Sequence, residues 1–286
     1  MKSWKIGAIA GLIAGVAAGF VALILAIIST NFLGFSHRYS YTFIIPISNI
    51  VLNEILLSMI WGFIIGIIYA KAHDLIPGKS ISKGLILGLI MYLIVNIRYA
   101  NFQISYAYTS YAISAIFVGF FRWIIFGILL GISYNIMCKR FFVSKDRKKI
   151  SVYDMGNGIY PGAFAGIADG VGAGVSAYVG GFLGLYPTYS VTIESIFGAH
   201  IFINMMWGIV FGAFYSRFND LIPGKGILKG LCFGIIIWLI ATFQIATYFL
   251  AYGEIYEFWM WAWIGFFSTG IPFGIVLGLL YRKPTK

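Results

Sequence analysis

Charged residues and cysteines are scarce in this sequence. Only 10% of its 286 residues are Asp, Glu, Lys or Arg, and Asp and Glu together number nine. Soluble domains have about a quarter of their residues charged, so this composition excludes a water-covered surface over most of the chain. The two cysteines, Cys138 and Cys232, each lie at or inside an apolar segment. That placement excludes a disulfide framework and provides no metal-ligand spacing.

The common sequence motifs of enzymes and cofactor-binding proteins are missing as well. The chain has no Walker loop, no HExxH or GxSxG motif, and no histidine pair at haem-ligand spacing within one helix. Its net charge of +11 would suit nucleic acid, but the basic residues lie between apolar segments and not along an amphipathic face. The sequence therefore predicts no cofactor, no metal and no nucleic-acid partner, and it favours a protein that is not an enzyme.

Long apolar segments make up most of the chain, and 60% of its residues are hydrophobic. A helix needs roughly 20 residues to cross a hydrocarbon layer of about 30 Å, and these segments reach that length. We therefore expect an all-α integral membrane protein with about eight transmembrane helices. The predicted spans are 6–29, 43–70, 84–104, 112–137, 158–185, 194–216, 229–249 and 257–281.

Basic residues are distributed unevenly between the two sides of the predicted membrane topology. With eight spans, 17 of the 20 Lys and Arg residues fall on the side that holds both termini, and the exceptions are Arg38, Arg98 and Arg122. Cytoplasmic loops of membrane proteins are enriched in Lys and Arg. We therefore expect a multi-pass protein of the cell membrane with cytoplasmic N- and C-termini, whose basic face attracts anionic lipid.

The two halves of the chain resemble each other. Trp61–Ile94 and Trp207–Ile240, which are 146 positions apart, are identical at 18 of 34 positions, including Asp74–Lys79 against Asp220–Lys225. Apolar composition alone would not reproduce a polar loop, so the sequence predicts two parallel four-helix repeats, related by a pseudo-two-fold axis along the membrane normal. The predicted domains are a first repeat over 1–138, a basic cytoplasmic linker over 139–157 and a second repeat over 158–286.

Glycine recurs at every fourth position in the first helix of each repeat. The sequence comparison matches Gly7, Gly11, Gly15 and Gly19 with Gly162, Gly166, Gly170 and Gly174. A stripe without side chains lets helix backbones approach closely in lipid, which indicates a structural role. In the repeated loop, Pro77 and Gly78 suit the central positions of a type II turn, and Ser80 or Ser82 is the expected cap of the next helix.

The second repeat has a recognisable layout. After a glycine-rich first helix come the segments Ala199–Phe202, Gly208–Tyr215, Ile222–Lys225 and Lys229–Leu231. This layout resembles that of the YagU-type inner-membrane proteins, a four-helix group. The resemblance implies a helical membrane architecture for each repeat, and it implies no catalytic residue and no substrate. The first repeat departs from the pattern because it has Glu54 where the second has His200.

Apart from charges at the first residue of a span, five ionisable residues lie inside the predicted spans, where each costs several kcal/mol unless it is paired or hydrated. They are Glu54, Arg98, Arg122, Asp169 and His200. Glu54, Arg122 and His200 each precede a basic residue of the cytoplasmic edge by 17 positions. At a rise of about 1.5 Å per residue this places all three roughly 25 Å from that edge. Their matched depth predicts a common cavity.

These charges have two interpretations. In the structural interpretation, Glu54 pairs with Arg122, Asp169 pairs with Arg98 or with hydroxyl groups, and His200 donates to a carbonyl, so that the pairs specify helix packing. In the functional interpretation, Arg122 and Arg98 attract an anion, and Glu54 or His200 accepts a proton, since histidine changes its charge near neutral pH. The five residues are therefore the candidate substrate or ion path.

Three functions of different classes are compatible with the sequence. The first is a transporter or channel for a small solute or ion, with its path at the interface between the repeats. The second is a non-transporting structural or accessory subunit of a larger membrane complex. As partners, a homo-oligomer and a larger membrane complex are both compatible with the sequence. The third is an intramembrane enzyme that acts on lipid, with Glu54, His200 or Asp169 as acid or base.

Overall fold

The computed structural model describes residues 3–34, 47–105, 109–141, 154–184, 193–251 and 255–282. Within these ranges all regular structure is helical, and no β-strand occurs. The chain forms two compact units, Met1–Lys148 and Lys149–Lys286. Most of the predicted linker over 139–157 and the predicted start of the second span at 43–46 lie outside the described residues.

Seven helices of the described chain are long and apolar enough to cross a membrane. They cover Ser3–Ser29, Glu54–Ala72, Ser80–Asn101, Ala112–Arg140, His200–Leu221, Gly226–Thr247 and Phe258–Leu280. Inside a bilayer no water satisfies backbone amides, so a chain must cross it as a helix that bonds its own amides. The chain is therefore a polytopic membrane protein with an α-helical membrane region.

The first unit contains three helices of 26 residues or more and one that is assembled from shorter pieces. In chain order, α1 is Ser3–Asn31, α2 is Ile47–Ala72, α3 is Ser80–Met91, α4 is Arg98–Ser105 and α5 is Thr109–Arg140. A π-helical turn, Tyr92–Ile97, joins α3 to α4 and makes them one crossing. The predicted spans 84–104 and 112–137 are therefore shorter than the helices that contain them.

The second unit begins with a 3₁₀ turn, Met155–Gly158, that leads into α6. Its helices are α6 at Ile159–Phe182, α7 at Ile193–Phe218, α8 at Gly226–Trp238, α9 at Gln244–Ala251, α10 at Ile255–Gly265 and α11 at Gly274–Leu280. The π-helical turn Leu239–Phe243 joins α8 to α9. A longer π-helical segment, Phe266–Phe273, joins α10 to α11 and contains Pro272.

The fifth predicted span, 158–185, corresponds to α6, which has 24 residues. At about 1.5 Å per residue this helix is long enough to cross a bilayer. It is nevertheless not among the seven apolar helices of the described chain. Seven of its 24 residues are glycine, and one is the charged Asp169.

Glycines line the contact surface between α1 and α2. A Cβ atom added at Gly11 would overlap the carbonyl oxygen of Gly62 and would lie 2.8 Å from the Cα atom of Gly66. One added at Gly66 would likewise overlap the carbonyl oxygen of Gly7. Only residues without a side chain permit this approach of the two backbones, which gains dispersion and Cα–H···O contacts.

A similar glycine-lined contact joins α6 to α7, with Gly162 against Gly208 and Gly158 against Gly212. These contacts correct the matching of the two glycine stripes. Judged by contacts with the partner helix, the counterparts of Gly7, Gly11, Gly15 and Gly19 are Gly158, Gly162, Gly166 and Gly170, one helical turn earlier than the sequence comparison indicated. Glycine at every fourth position fits both registers equally well, and only the contact with the neighbouring helix distinguishes them.

The repeated loop forms a tight turn in both units. Gly78 has a φ angle of 99° and Gly224 one of 95°, as the third position of the predicted type II turn requires. The prediction that Ser80 or Ser82 caps α3 is wrong. The residue at the cap position is Lys79, and it makes no side-chain cap hydrogen bond.

A lysine of the following helix binds the end of the preceding one in each unit. Lys83 Nζ donates to the backbone carbonyl of His73, and Lys229 Nζ donates to Asn219 Oδ1 at 3.0 Å. A cation near a helix C-terminus interacts favourably with the helix dipole and with the last carbonyl groups. These bonds hold α2 next to α3 and α7 next to α8 at the loop end of each unit.

Candidate functional site

A buried ion pair joins α2 to α5 in the first unit. Arg122 Nη1 lies 3.2 Å from Glu54 Oε1, and the side chain of Glu54 is 0% exposed while that of Arg122 is 10% exposed. Arg122 Nη2 also donates to Ser58 Oγ at 2.8 Å. Ser58 follows Glu54 by one helical turn, so both groups lie on one face of α2, where the Arg122 side chain of α5 reaches them. The predicted pairing of Glu54 with Arg122 is confirmed.

Glycines of α1 lie directly beside this ion pair. A Cβ atom at Gly19 would lie 3.1 Å from Ser58 Oγ, and one at Gly15 would overlap the backbone carbonyl of Ser58. Without side chains at these two positions, α1 packs close to the groups that hold Arg122. In such low-dielectric surroundings both the attraction between the two charges and the cost of removing them from water are large.

A buried carboxylate in the second unit is bound by a hydroxyl group. Asp169 on α6 is 1% exposed, and it accepts from Thr269 Oγ1 at 3.0 Å through Oδ1 and at 3.1 Å through Oδ2. Thr269 is itself 0% exposed. A contact of Asp169 with a hydroxyl group was one of the two expected arrangements, and the structure contains it.

Thr269 belongs to the π-helical segment Phe266–Phe273, which packs its backbone against α6. A Cβ atom at Gly172 would lie 2.7 Å from the carbonyl oxygen of Phe267 and 3.1 Å from Pro272 Cγ. Gly172 follows Asp169 by three residues, so the two lie on one face of α6. The distorted segment therefore meets α6 over about one turn, from the carboxylate to the glycine.

The helix pairs α3–α4 and α8–α9 each contain a π-helical turn that is followed at once by a buried polar residue. Arg98 follows Tyr92–Ile97 and is 6% exposed, and Gln244 follows Leu239–Phe243 and is 2% exposed. Within the described residues, Oε1 of Gln244 has no hydrogen-bond partner. π-Helical turns inside α-helices are frequent at functional sites. Arg98 therefore stays a candidate for the substrate or ion path, and the structure adds Gln244, which lies 146 positions further on.

Asn96 forms a polar contact between the third and fourth crossings of the first unit. Its Oδ1 accepts from Trp123 Nε1 at 2.7 Å, and its Nδ2 donates to the carbonyl of Ala115 at 3.0 Å. A Cβ atom at Gly119 would overlap the Asn96 side chain. Gly119 thus makes room for a polar residue on the neighbouring helix.

His200 lies on α7 and is 6% exposed. Its backbone carbonyl lies against α6, where a Cβ atom at Gly170 would approach it to 2.8 Å. His200 and Asp169 belong to the second unit, whereas Glu54 and Arg122 belong to the first. A common cavity for Glu54, Arg122 and His200 stays a prediction.

Sequence reasoning missed Ser58 and Thr269, which bind the two principal charges. Ser58 could have been found from its spacing of four residues from Glu54, which places both side chains on one helix face. Thr269 gives no such signal, because its partner Asp169 is 100 positions away.

Within the described residues, no group of three or more His, Cys, Asp or Glu side chains could hold a metal ion. No family model, curated protein or solved structure matches the chain. Its function is therefore inferred from the chemistry of these buried groups and not from a relative.

Proposed function

We propose that the protein is a membrane transporter or channel for a small ion or solute. The observation that carries this proposal is that each unit buries a carboxylate between its long helices, Glu54 beside Arg122 and Asp169 beside Thr269. Ionisable groups inside a membrane are costly, and they typically mark substrate, ion or proton paths. An ion pair or hydroxyl contact of this kind holds the charge until a solute or proton replaces one partner.

The helix distortions next to these residues support the same proposal. Thr269 lies in a π-helical segment with an internal proline, and Arg98 follows a π-helical turn. Membrane transporters build their binding sites from discontinuous helices, because the interrupted backbone supplies polar groups at the depth of the solute. Regular helices would satisfy all of these backbone groups internally.

We further propose eight crossings in two parallel repeats, with cytoplasmic termini and anionic lipid at the basic face. Equivalent distortions and contacts in the two units support the duplication. The π-helical turns Tyr92–Ile97 and Leu239–Phe243 occur at matching places in the third crossings. Edge-to-face ring pairs recur as well. The ring centroids are 5.2 Å apart for Tyr69 with Tyr134 and 4.9 Å apart for Tyr215 with Tyr281.

The last crossing of the second unit has one residue more than the last crossing of the first unit, and this insertion accounts for its π-helical segment. Four residues separate Phe121 from Phe126, whereas five separate Phe267 from Phe273. A π-helical turn closes over one residue more than an α-helical turn, so it absorbs an insertion without turning the rest of the helix away from its neighbours. Accordingly Gly127 packs on Gly84, and Gly274, which is 147 positions further on, packs on Gly230.

The outward face of α6 supports its assignment as the eighth crossing. Large apolar residues recur at helical spacing along it and are exposed, namely Phe164, Val171, Val175, Tyr178 and Phe182. In water such a face would be unfavourable, whereas in a bilayer it contacts lipid. The glycines and Asp169 face the neighbouring helices instead, so α6 combines an apolar exterior with a glycine-rich packed face.

Labelling of single cysteines tests this topology. In a Cys138→Ser/Cys232→Ser background, Lys79→Cys and Lys225→Cys should react with a membrane-impermeant maleimide from the same side of intact cells or inverted vesicles. Both lysines are exposed in the repeated turn. Phe32→Cys, at the exposed far end of α1, is the control and should react from the other side. Reaction of Lys79→Cys and Lys225→Cys from opposite sides would contradict the parallel repeats.

Solute uptake by proteoliposomes tests the transport proposal. Glu54→Gln and Arg122→Leu should each lower the initial rate of uptake by about tenfold or more, since each removes a charge from the proposed path. Glu54→Leu/Arg122→Leu is the informative variant, because it replaces the pair by apolar side chains that can pack. The proposal fails if this variant folds and transports at the wild-type rate, or if the wild type moves no member of a broad solute panel.

A second candidate function is a non-transporting accessory subunit of a larger membrane complex. The complete burial of Glu54 and the bonds of Arg122 to both Glu54 and Ser58 favour it, since such a pair also serves to specify packing. Native mass spectrometry after extraction in mild detergent separates the two. Stoichiometric partner proteins would favour the accessory role, and a lone monomer or homo-oligomer would favour transport.

The likeness to the YagU-type proteins is retained as a proposal about ancestry. It is supported by the glycine-lined first helix of each unit and by the Ile222–Lys225 turn. It adds no substrate to the transport proposal.

A further inference from the structure

A histidine lies between aromatic rings of two helices at the loop end of the first unit. His73 directly follows α2, and its side chain is 23% exposed. Its ring centroid lies 5.4 Å from that of Tyr69, on α2, and 5.0 Å from that of Tyr134, on α5. The two tyrosine rings also contact each other edge to face. The imidazole is therefore part of the contact between α2 and α5, and we call these three residues the loop-end cluster of the first unit.

The neighbours of the His73 ring determine which of its nitrogen atoms carries a fixed proton. Nδ1 lies 3.3 Å from Oδ1 of Asp74. An ionised carboxylate only accepts hydrogen bonds, so Nδ1 is the donor of this bond. The proton that is gained or lost near neutral pH is then the one on Nε2. Lys83 Nζ donates to the backbone carbonyl of His73 at the same end of α2.

The second unit has an equivalent cluster with an amide in place of the imidazole. Asn219, 146 positions after His73, accepts from Lys229 Nζ at 3.0 Å through Oδ1 and also forms a hydrogen bond with Tyr215. The ring of Tyr215 packs edge to face on that of Tyr281. An amide does not change its charge with pH, whereas a histidine does so between about pH 5 and 8. The two clusters therefore differ in their response to pH.

Protonation of His73 strengthens the contacts of its ring. With Asp74 it converts a hydrogen bond of a neutral ring into an ion pair, which is the stronger interaction. Aromatic rings attract a cation that lies within about 6 Å of the ring centroid, and both tyrosine rings lie closer than that. A positive charge at the C-terminal end of α2 also interacts favourably with the helix dipole.

The basic groups at this end of the unit act in the opposite sense, because they repel a charged imidazole. Within the described residues, the other ionisable groups here are Lys5 of α1, Lys71 of α2, Lys79 of the turn, Lys83 of α3, and Cys138, Lys139 and Arg140 of α5. All the basic ones except Lys83 are exposed, and salt screens exposed charges over about 8–10 Å. The carboxylate of Asp74 is in contact with the ring, so its attraction outweighs the screened repulsion.

We propose that His73 is a pH sensor at the loop end of the first unit. Its protonated form holds α2 against α5, and its neutral form weakens this contact. The second unit, with Asn219 at the equivalent position, keeps its contact over the same pH range. The sensor goes beyond the proposed transport function and does not rest on it, because it concerns the stability of one end of one unit.

Thermal unfolding of the purified full-length protein between pH 5.5 and pH 8 tests the sensor. Protonation is more favourable in the folded state, where the ring faces Asp74 and two tyrosines, than in the unfolded chain. The stabilisation is therefore present at pH 5.5 and is lost as the pH rises through the neutral range. Over this interval the wild-type Tm should fall by about 2–4 °C more than that of His73→Asn, which carries the residue of the second unit. Identical profiles would overturn the proposal.

Variants of the carboxylate provide a matched pair. Asp74→Asn should remove most of the additional fall in Tm, because it removes the counter-charge of the ring. Asp220→Asn changes the equivalent residue of the second unit, and it should keep the wild-type profile. The assignment is wrong if the additional fall survives in Asp74→Asn, or if Asp220→Asn abolishes it.

Hydrogen exchange of the wild type locates the change and requires no variant. Residues 69–84 and 215–230 are equivalent segments, and a change of pH alters the intrinsic exchange rate of both by the same factor. Between pH 5.5 and pH 8 the segment 69–84 should lose about threefold or more of its protection relative to 215–230. Equal loss of protection in the two segments would contradict a sensor that is confined to the first unit.

Discussion

Arg122→Leu is expected to destabilise the protein by about 3–5 kcal/mol, because it leaves the buried carboxylate of Glu54 without the guanidinium that faces it at 3.2 Å. Glu54→Gln should have a similar effect, since it leaves the guanidinium without its counter-charge. Ser58→Ala removes a single hydrogen bond to Arg122 and should cost about 1.5–3 kcal/mol at most. Thermal unfolding in detergent, followed by tryptophan fluorescence, measures all three.

The double variant Glu54→Leu/Arg122→Leu is expected to be more stable than either single variant. Replacement of a buried ion pair by apolar residues of similar volume is often neutral, because the cost of desolvating two charges disappears with their attraction. The double variant should therefore cost far less than the sum of the two single variants, which would be about 6–10 kcal/mol if their effects were additive. Arg140→Leu is the matched control, since Arg140 is exposed at the end of the same helix. Single variants no less stable than this control would contradict a structural contribution of the pair.

Gly11→Leu is expected to prevent folding of the first unit, and Gly11→Ala to destabilise it by about 1–3 kcal/mol. A Cβ atom at Gly11 would overlap the carbonyl of Gly62, and the obstacle is backbone, which cannot move aside as a flexible side chain can. The two helices would have to separate, and their dispersion contacts would weaken along the crossing. Gly208→Ala, which faces Gly162, should have an effect of the same size in the second unit.

Gly198→Ala is expected to change stability in the opposite direction from Gly11→Ala. Gly198 is an exposed residue of α7, and nothing lies within 4 Å of a Cβ atom added there. Alanine should therefore stabilise the helix by about 0.5–1 kcal/mol through its better helix propensity. Fluorescence-detected gel filtration after heating compares the variants. If Gly11→Ala and Gly198→Ala shift Tm in the same direction, close backbone contact is not what Gly11 provides.

Much of the helical organisation could be predicted from local properties of the sequence. Apolar segments of about 20 residues predicted the long helices, because their composition alone decides whether lipid or water surrounds them. The helix ends were less accurate, as at α5, which extends to Arg140 beyond the predicted 137. Helical hydrogen bonds continue into polar residues, whereas apolarity ends where lipid contact ends. The glycine-rich composition of α6 has a related cause, since it reflects close helix packing and not only contact with lipid.

The candidate site was only partly predictable. The pairing of Glu54 with Arg122 followed from opposite charge at matched depth, a quantity that can be counted along the chain. The bond of Thr269 to Asp169 did not follow, because it depends on which neighbour α6 meets and on the π-helical distortion of Phe266–Phe273. The register of the second glycine stripe was matched wrongly by one turn for a similar reason.

The amino-acid sequence by itself determined that this chain is a helical membrane protein with charged groups buried in its interior. Composition and length decide these properties, because the free energy of transferring a residue into lipid depends mainly on that residue. Each helical hydrogen bond likewise joins residues that are close in the sequence. Only the tertiary structure decided which groups meet: Glu54 with Arg122, Asp169 with Thr269, and Gly162 with Gly208. Such contacts join residues far apart in the chain, and their geometry depends on helix register and distortion, which the period of a sequence pattern leaves open.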